Sequence, residues 1–129
     1  SQRDDFRNNR VLNFRNDSLT AIDFIYPDSA FSLTKKENHW FKNNVEVDSI
    51  KFKKYHDDVQ FIMSKSFASS DSTSAPSHDV IFHFSNRSDI KITGSLEQGV
   101  WLIKSSENKD EAWKDPVLSE KIFISDKYF

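Results

Sequence analysis

Four histidines carry the most obvious chemistry of the chain: His39, His56, His78 and His83, with acidic neighbours in His56-Asp57-Asp58 and His78-Asp79. Imidazole and carboxylate groups could together bind a divalent metal or take a proton from water. Their spacing matches no metal-ligand signature, and the alternation around His83 puts it on the polar side of a strand. Surface histidines and no bound metal are therefore expected. A small hydrolase working through His56 and Asp58 is the weakest reading that these residues allow. Serine chemistry needs a base and a rigid elbow, and no G-x-S-x-G stretch is present. With no Cys, thiol catalysis, disulfides and thiolate metal sites are excluded. The acids Glu107, Asp110 and Glu111 are accounted for by the positive end of a short helix beginning there. No catalytic residue and no cofactor is expected.

Binding chemistry is better represented. Trp40, Trp101 and Trp113 are large rings that could stack on the apolar face of a sugar, and His39 stands beside Trp40. Trp40, Trp101 and His39 are the candidate ligand-binding residues, with core packing as the competing role for both rings. Lys51, Lys53 and Lys54 interleave with Phe52 and Tyr55 in the manner of single-strand nucleic-acid binders. A helical period turns those aromatics inward and the lysines outward. The net charge is −2, from 18 basic against 20 acidic residues, so no field draws nucleic acid and no such partner is expected. Asn16-Asp17-Ser18 and Asn86-Arg87-Ser88 match the glycosylation pattern, a signal that chance supplies in so Asn- and Ser-rich a chain.

These residues must be held by a scaffold, and the hydrophobic pattern describes one. Ile22, Phe24 and Tyr26 alternate, Pro27-Asp28-Ser29 turns, and Phe31 and Leu33 resume, which predicts a hairpin over 20–36 extended by a strand at 39–42. Asp48 is an N-cap, and Phe52, Tyr55, Val59, Ile62 and Met63 share one face of a main helix over about 48–66. The Ser-rich 69–79 reads as a mobile loop. Val80, Phe82 and Phe84, then Ile90 and Ile92, then Val100 to Ile103 predict a second meander. Asn108 caps a short helix near 109–115 that Pro116 ends, and residues 121–129 close the chain as a strand. The expectation is an α+β fold of antiparallel meanders with the main helix packed on the sheet. A flexible lead, 1–10, precedes a single domain, 11–129, large enough to bury roughly two thirds of its unfolded surface. The opening "SQRDDFRNNR" lacks an initiator Met and any periodic pattern, so it reads as a piece of a longer protein. No apolar run approaches the roughly 20 residues that cross a bilayer, so no direct membrane insertion is expected.

The succession "LTAIDFIYP", "SAFSLTKK", "NHWF" and "VEVDSIKF", followed by "DIKITGS", "VWLIKSSEN" and "KIFISDKYF", resembles a bacterial family known as domain of unknown function 4340. The likeness spans roughly residues 11–129 and rests on core and turn positions. The family's Gly before the Trp is replaced here by Asn38-His39. The resemblance implies a non-catalytic module on the extracytoplasmic face of the envelope, anchored by a segment outside these residues. It also implies a membrane or envelope protein as partner, in a system linked to transporters. A carbohydrate-binding module using exposed tryptophan is the alternative, which leaves a glycan partner open.

Overall fold

The computed structural model describes residues 8–68 and 75–129. Its strands are β1 (Arg10–Asn13), β2 (Leu19–Ile25), β3 (Ala30–Lys36), β4 (His39–Lys42), β5 (Val45–Glu46), β6 (Phe61–Met63), β7 (His78–Phe84), β8 (Ile90–Glu97) and β9 (Val100–Ser105). Helices α1 (Ser49–Val59) and α2 (Pro116–Ile122) follow β5 and β9. Seven strands make one antiparallel sheet in the order β5-β4-β3-β2-β7-β8-β9, while β1 and β6 form a separate two-stranded ribbon. The fold is thus α+β, built of two antiparallel meanders that join where β2 pairs with β7. Among the described residues no helix is long and apolar enough to cross a membrane.

The sheet buries one face, as its period-2 pattern dictates. Ile22 and Phe24, Phe31 and Leu33, Val80 and Phe82, and Ile90 and Ile92 are buried and oppose one another across the ladders. Phe24 and Phe31 stack with centroids 4.4 Å apart. Register is set by two-residue turns in which both central residues have positive φ: Glu37-Asn38, Asn43-Asn44 and Gln98-Gly99. That is the geometry of type I′ hairpins, whose twist matches the strands. Asn38 and Gly99 suit it, whereas Glu37 adopts it against its side-chain preference. The first of these turns keeps β4 at 39–42 even without a Gly before Trp40.

Five expected boundaries move. The main helix ends at Val59 instead of continuing to about 66, and it buries Phe52, Tyr55 and Val59. Full burial of each contributes about 1.5–3 kcal/mol. Residues 61–63 instead alternate exposed, buried, exposed as a strand against β1. Tertiary pairing overrides the helical period there, and Met63 leaves the stripe. The short helix lies at 116–122 and not near 109–115: Pro116 starts it, capped by Asp115, because its fixed φ and missing N–H suit a first turn. Residues 112–114 are extended, and Trp113 exchanges two backbone hydrogen bonds with Ile103. Asn108 caps no helix and donates to the carbonyls of Asn8 and Arg10. The expected closing strand is instead the end of α2 and a 3₁₀ turn at Asp126–Tyr128. Of the expected lead, Arg10 already belongs to β1 and 1–7 lie outside the described residues. Of the expected loop, His78 and Asp79 open β7 and 69–74 lie outside the described residues.

The segment from α2 onward closes the core face. Tyr55 donates to the Ile122 carbonyl (2.9 Å) and Tyr26 to the Ile124 carbonyl (2.7 Å). Burial holds both phenols above their ordinary pKa, so they stay protonated donors. Lys42 donates to the Asp126 carbonyl from the β4 side. The turn at Glu37 yields a test. Glu37→Asn, which tolerates positive φ, is expected to raise unfolding stability by about 0.5–1 kcal/mol, and Glu37→Val to lower it by about 1 kcal/mol or more. Urea melts of the three proteins check the order, and a stabilising Val would refute the turn geometry.

Candidate functional site

Trp40 and His39 enter one groove of ≈ 510 Å³ between the end of β3–β4, the start of α1 and the loop before β2. Trp40 projects on the core face opposite Lys35 and stacks on Phe52 of α1, with centroids 4.3 Å apart and planes 19° apart. Val47 donates to the Trp40 carbonyl and fixes the turn into the helix. Leu19 and Val47 complete an apolar floor, and Asp17, Ser18, Lys35, Asn38, Ser49 and Lys53 make the rim. A volume of this order with an apolar floor and a few polar groups is what small-ligand and side-chain pockets share.

The rim is ordered by ion pairs. His39 Nδ1 lies 2.7 Å from Glu46 Oε1, with both side chains exposed. Ser18 N–H donates to Asn86 Oδ1, and Arg87 reaches Glu107 at 2.7 Å and Asp17 at 3.6 Å. Its bond to Glu107, more than the charges of Glu107 and Asp17, holds the guanidinium above its ordinary pKa. Lys53 is tied to Asp57 at 2.8 Å, and that bond depresses the Asp57 carboxyl. Among the described residues Lys35 has no such partner, so the groove keeps one uncommitted cation beside its aromatic floor.

Trp101 lies elsewhere. It borders a second hollow of ≈ 360 Å³ with Tyr26, His78 and Phe123. Its ring stacks on Phe123 (5.2 Å) and meets His78 edge-on (4.8 Å). Phe123 can approach because Gly94 beneath it has no Cβ; one built there would lie 2.6 Å from the ring. Desolvation holds His78 below 6.5, against the charges of Asp79 and Asp28. Trp113 is completely buried.

The structure does not bring His56 and Asp58 together. Residues two apart on a helix do not face each other. Asp58 is paired with Lys54 at 3.4 Å, and His56 lies edge-on to Phe14 (5.8 Å) with Asp57 at 3.6 Å. Glu107 serves Arg87, not a helix start, since no helix begins at 109.

The tightest titratable cluster escaped sequence reasoning. On the open face of the sheet His83 Nε2 lies 2.7 Å from Asp23 Oδ2 and its Nδ1 3.0 Å from Asp89 Oδ1, while Ser32 donates to Asp23 Oδ1 (2.6 Å). Alternation places His83 on a polar face but does not bring it to Asp23; their meeting depends on β2 pairing with β7, 60 residues on. The serine bonds to the carboxylate and not to the imidazole, so this is not a nucleophilic triad. Among the described residues no group of three or more His, Asp or Glu side chains is arranged to hold a metal ion.

Comparison with models of protein families, with curated proteins and with solved structures finds no match for the chain.

The His83 cluster makes stability depend on pH. Partial burial disfavours the imidazolium, but hydrogen bonds and charge from Asp23 and Asp89 outweigh it and raise His83 above 6.5. Burial likewise opposes ionisation of Asp23, yet Ser32 and His83 lower it below 3.8. The stabilisation from His83 is then full below 6.5 and fades as pH rises through the raised value; that from Asp23 is full above 3.8 and fades in acid. The stability difference between the native protein and His83→Gln should be greatest near pH 5–6 and shrink toward pH 9. Denaturant unfolding across that range checks it, the difference cancelling the opposite trend from His78. A gap that widens with pH would refute the charged pairing.

Proposed function

We propose that this domain is a non-catalytic binding module that recognises a partner protein through the Trp40 groove. The observation that carries this reading is the groove itself: a half-buried tryptophan backed by Phe52, with Lys35 uncommitted and the other rim charges already paired. Pre-ordered aromatic anchors with a polar rim are the usual makings of a binding hot spot. The resemblance to the domain of unknown function 4340 family supports placing the module on the extracytoplasmic face of a bacterial envelope, in an anchored parent protein that works beside membrane-transporter subunits. The partner is then an envelope or membrane protein. A second reading is favoured by the rim of Asp17, Ser18 and Asn38, whose donors and acceptors suit hydroxyl groups around a sugar ring laid on Trp40.

The test is in-cell crosslinking of the parent protein through a photoreactive residue at Asn38, with mass spectrometry of the captured species. One envelope protein should dominate, and Trp40→Ala, assayed below its own lowered melting temperature where the domain is still folded, should reduce its capture about ten-fold or more. Retention of the same capture in Trp40→Ala would refute the groove. A tryptophan fluorescence shift on adding cell-wall saccharides, lost in Trp40→Ala, would favour the glycan reading instead. A turnover activity abolished by one His or carboxylate substitution would overturn both.

A further inference from the structure

The ribbon of β1 and β6 has an open edge, and its outer surface differs from the rest of the molecule. Its ladder uses alternate residues around β6: Phe14 N–H donates to the Gln60 carbonyl (2.8 Å) and Ser64 N–H to the Asn9 carbonyl (2.9 Å). The intervening Phe61 and Met63 therefore turn their N–H and C=O groups away from β1, as an antiparallel ladder requires. Among the described residues no further strand pairs with β6. The two margins of the large sheet are managed differently: β9 is covered by Trp113, and β5 has only two residues.

The side chains on this edge form a pattern. Phe61 and Met63 are 39% and 49% exposed, with Ile62 buried between them. The Arg15 guanidinium lies 3.9 Å over the Phe61 ring. Arg10 pairs across from Met63, and exposed Lys65 continues the alternation of β6. Among the described residues neither Arg10 nor Lys65 has an ion-pair partner. Asp115, which bonds Ser64 Oγ, is occupied in capping α2. Arg, Met and Phe are the residue types enriched at the centres of protein interfaces.

We propose that this edge accepts an extended acidic segment of a partner protein as a third strand. The main chain of that segment bonds the outward groups of Phe61 and Met63, its apolar side chains cover those two residues, and its carboxylates meet Arg10, Arg15 and Lys65. The charge selects the occupant. Three cations on the outer surface of the ribbon, Lys65 continuing β6 and Arg10 and Arg15 reaching from the β1 side, repel a second copy of the same surface and attract a segment of opposite sign. The surface is separate from the Trp40 groove and stands whether or not that groove binds a protein.

The experiment titrates the full chain with a fluorescein-labelled seven-residue peptide of alternating Val and Glu. Its Val/Lys counterpart and a version N-methylated at alternate backbone positions serve as controls. The Val/Glu peptide is expected to bind and to slow hydrogen exchange of the Phe61 and Met63 amides. The Val/Lys and N-methylated peptides should fail, and Arg10→Glu with Lys65→Glu should weaken binding about ten-fold or more. Should the double variant not fold, the salt dependence of binding to the native chain takes its place; insensitivity to salt would count against the proposal. Trp40→Ala should leave the peptide affinity unchanged. No binding at millimolar peptide, equal binding of the N-methylated peptide, or protection only at other amides would overturn the assignment. Binding confined to phosphatidylglycerol vesicles would overturn it too, and give the surface to anionic lipid.

Discussion

Two backbone hydrogen bonds, from Ile103 N–H to the Trp113 carbonyl and back from Trp113 N–H to the Ile103 carbonyl, each 2.9 Å, hold together parts of the chain that would otherwise drift apart. Trp113 is completely buried, and its indole N–H is spent on the Ser64 carbonyl. On its other side the same segment bonds residues 66–68: Ala68 N–H donates to the Ala112 carbonyl and Lys114 N–H to the Ser66 carbonyl. One short piece of backbone thus braces the outer strand of the sheet to the chain leaving β6. It also fixes where α2 begins, because Asp115 and Pro116 follow at once. From α2 the chain returns over the core face, where Tyr26, Tyr55 and Lys42 hold its carbonyls. The lid over the sheet is therefore tied by polar bonds at its edges and by aromatic packing at its centre.

What could be read from sequence was whatever repeats locally. The alternation of Ile22, Phe24, Phe31 and Leu33 gave the first hairpin and its buried face, and Asp48 marked the start of α1 correctly. Where a segment's state depends on a distant partner, local period misled. Ile62 fits a helical stripe and is equally well buried as the middle of a three-residue strand, and only β1 decides between them. Val11 and Leu12 are consecutive and both buried because a bulge sets the two against Ile62, an arrangement that breaks any simple pattern. Pro116 could end one helix or open another; Trp113 in extended backbone settles which. The same limit applies to the site. Trp40 and His39 could be singled out because they are adjacent, while Phe52, His56 and the Asp17–Ser18 loop join them only through the crossing of α1 over β4.

The two recognition surfaces proposed here differ in physical kind. In the groove, aromatic rings are already packed on each other and the rim charges are largely satisfied within the molecule, so little ordering remains to be done on binding. On the β6 edge, backbone groups and cations stand open, so the incoming chain must supply both hydrogen bonds and countercharge. Surfaces on different elements, here α1 with β4 on one side and the β1–β6 ribbon on the other, would let one binding module join two components.

The imidazole between Asp23 and Asp89 also guards the fold against misalignment. A slip of β7 by a single residue against β2 would exchange its two faces, placing His83 where Phe82 now fills the interior and leaving both carboxylates without their bridge. Hydrophobic burial alone tolerates near-equivalent alignments of a strand so rich in Val, Ile and Phe. An imidazole that must remain outside between two acids from β2 and from the turn after β7 does not, and it turns the centre of the sheet into a keyed joint with a single fit.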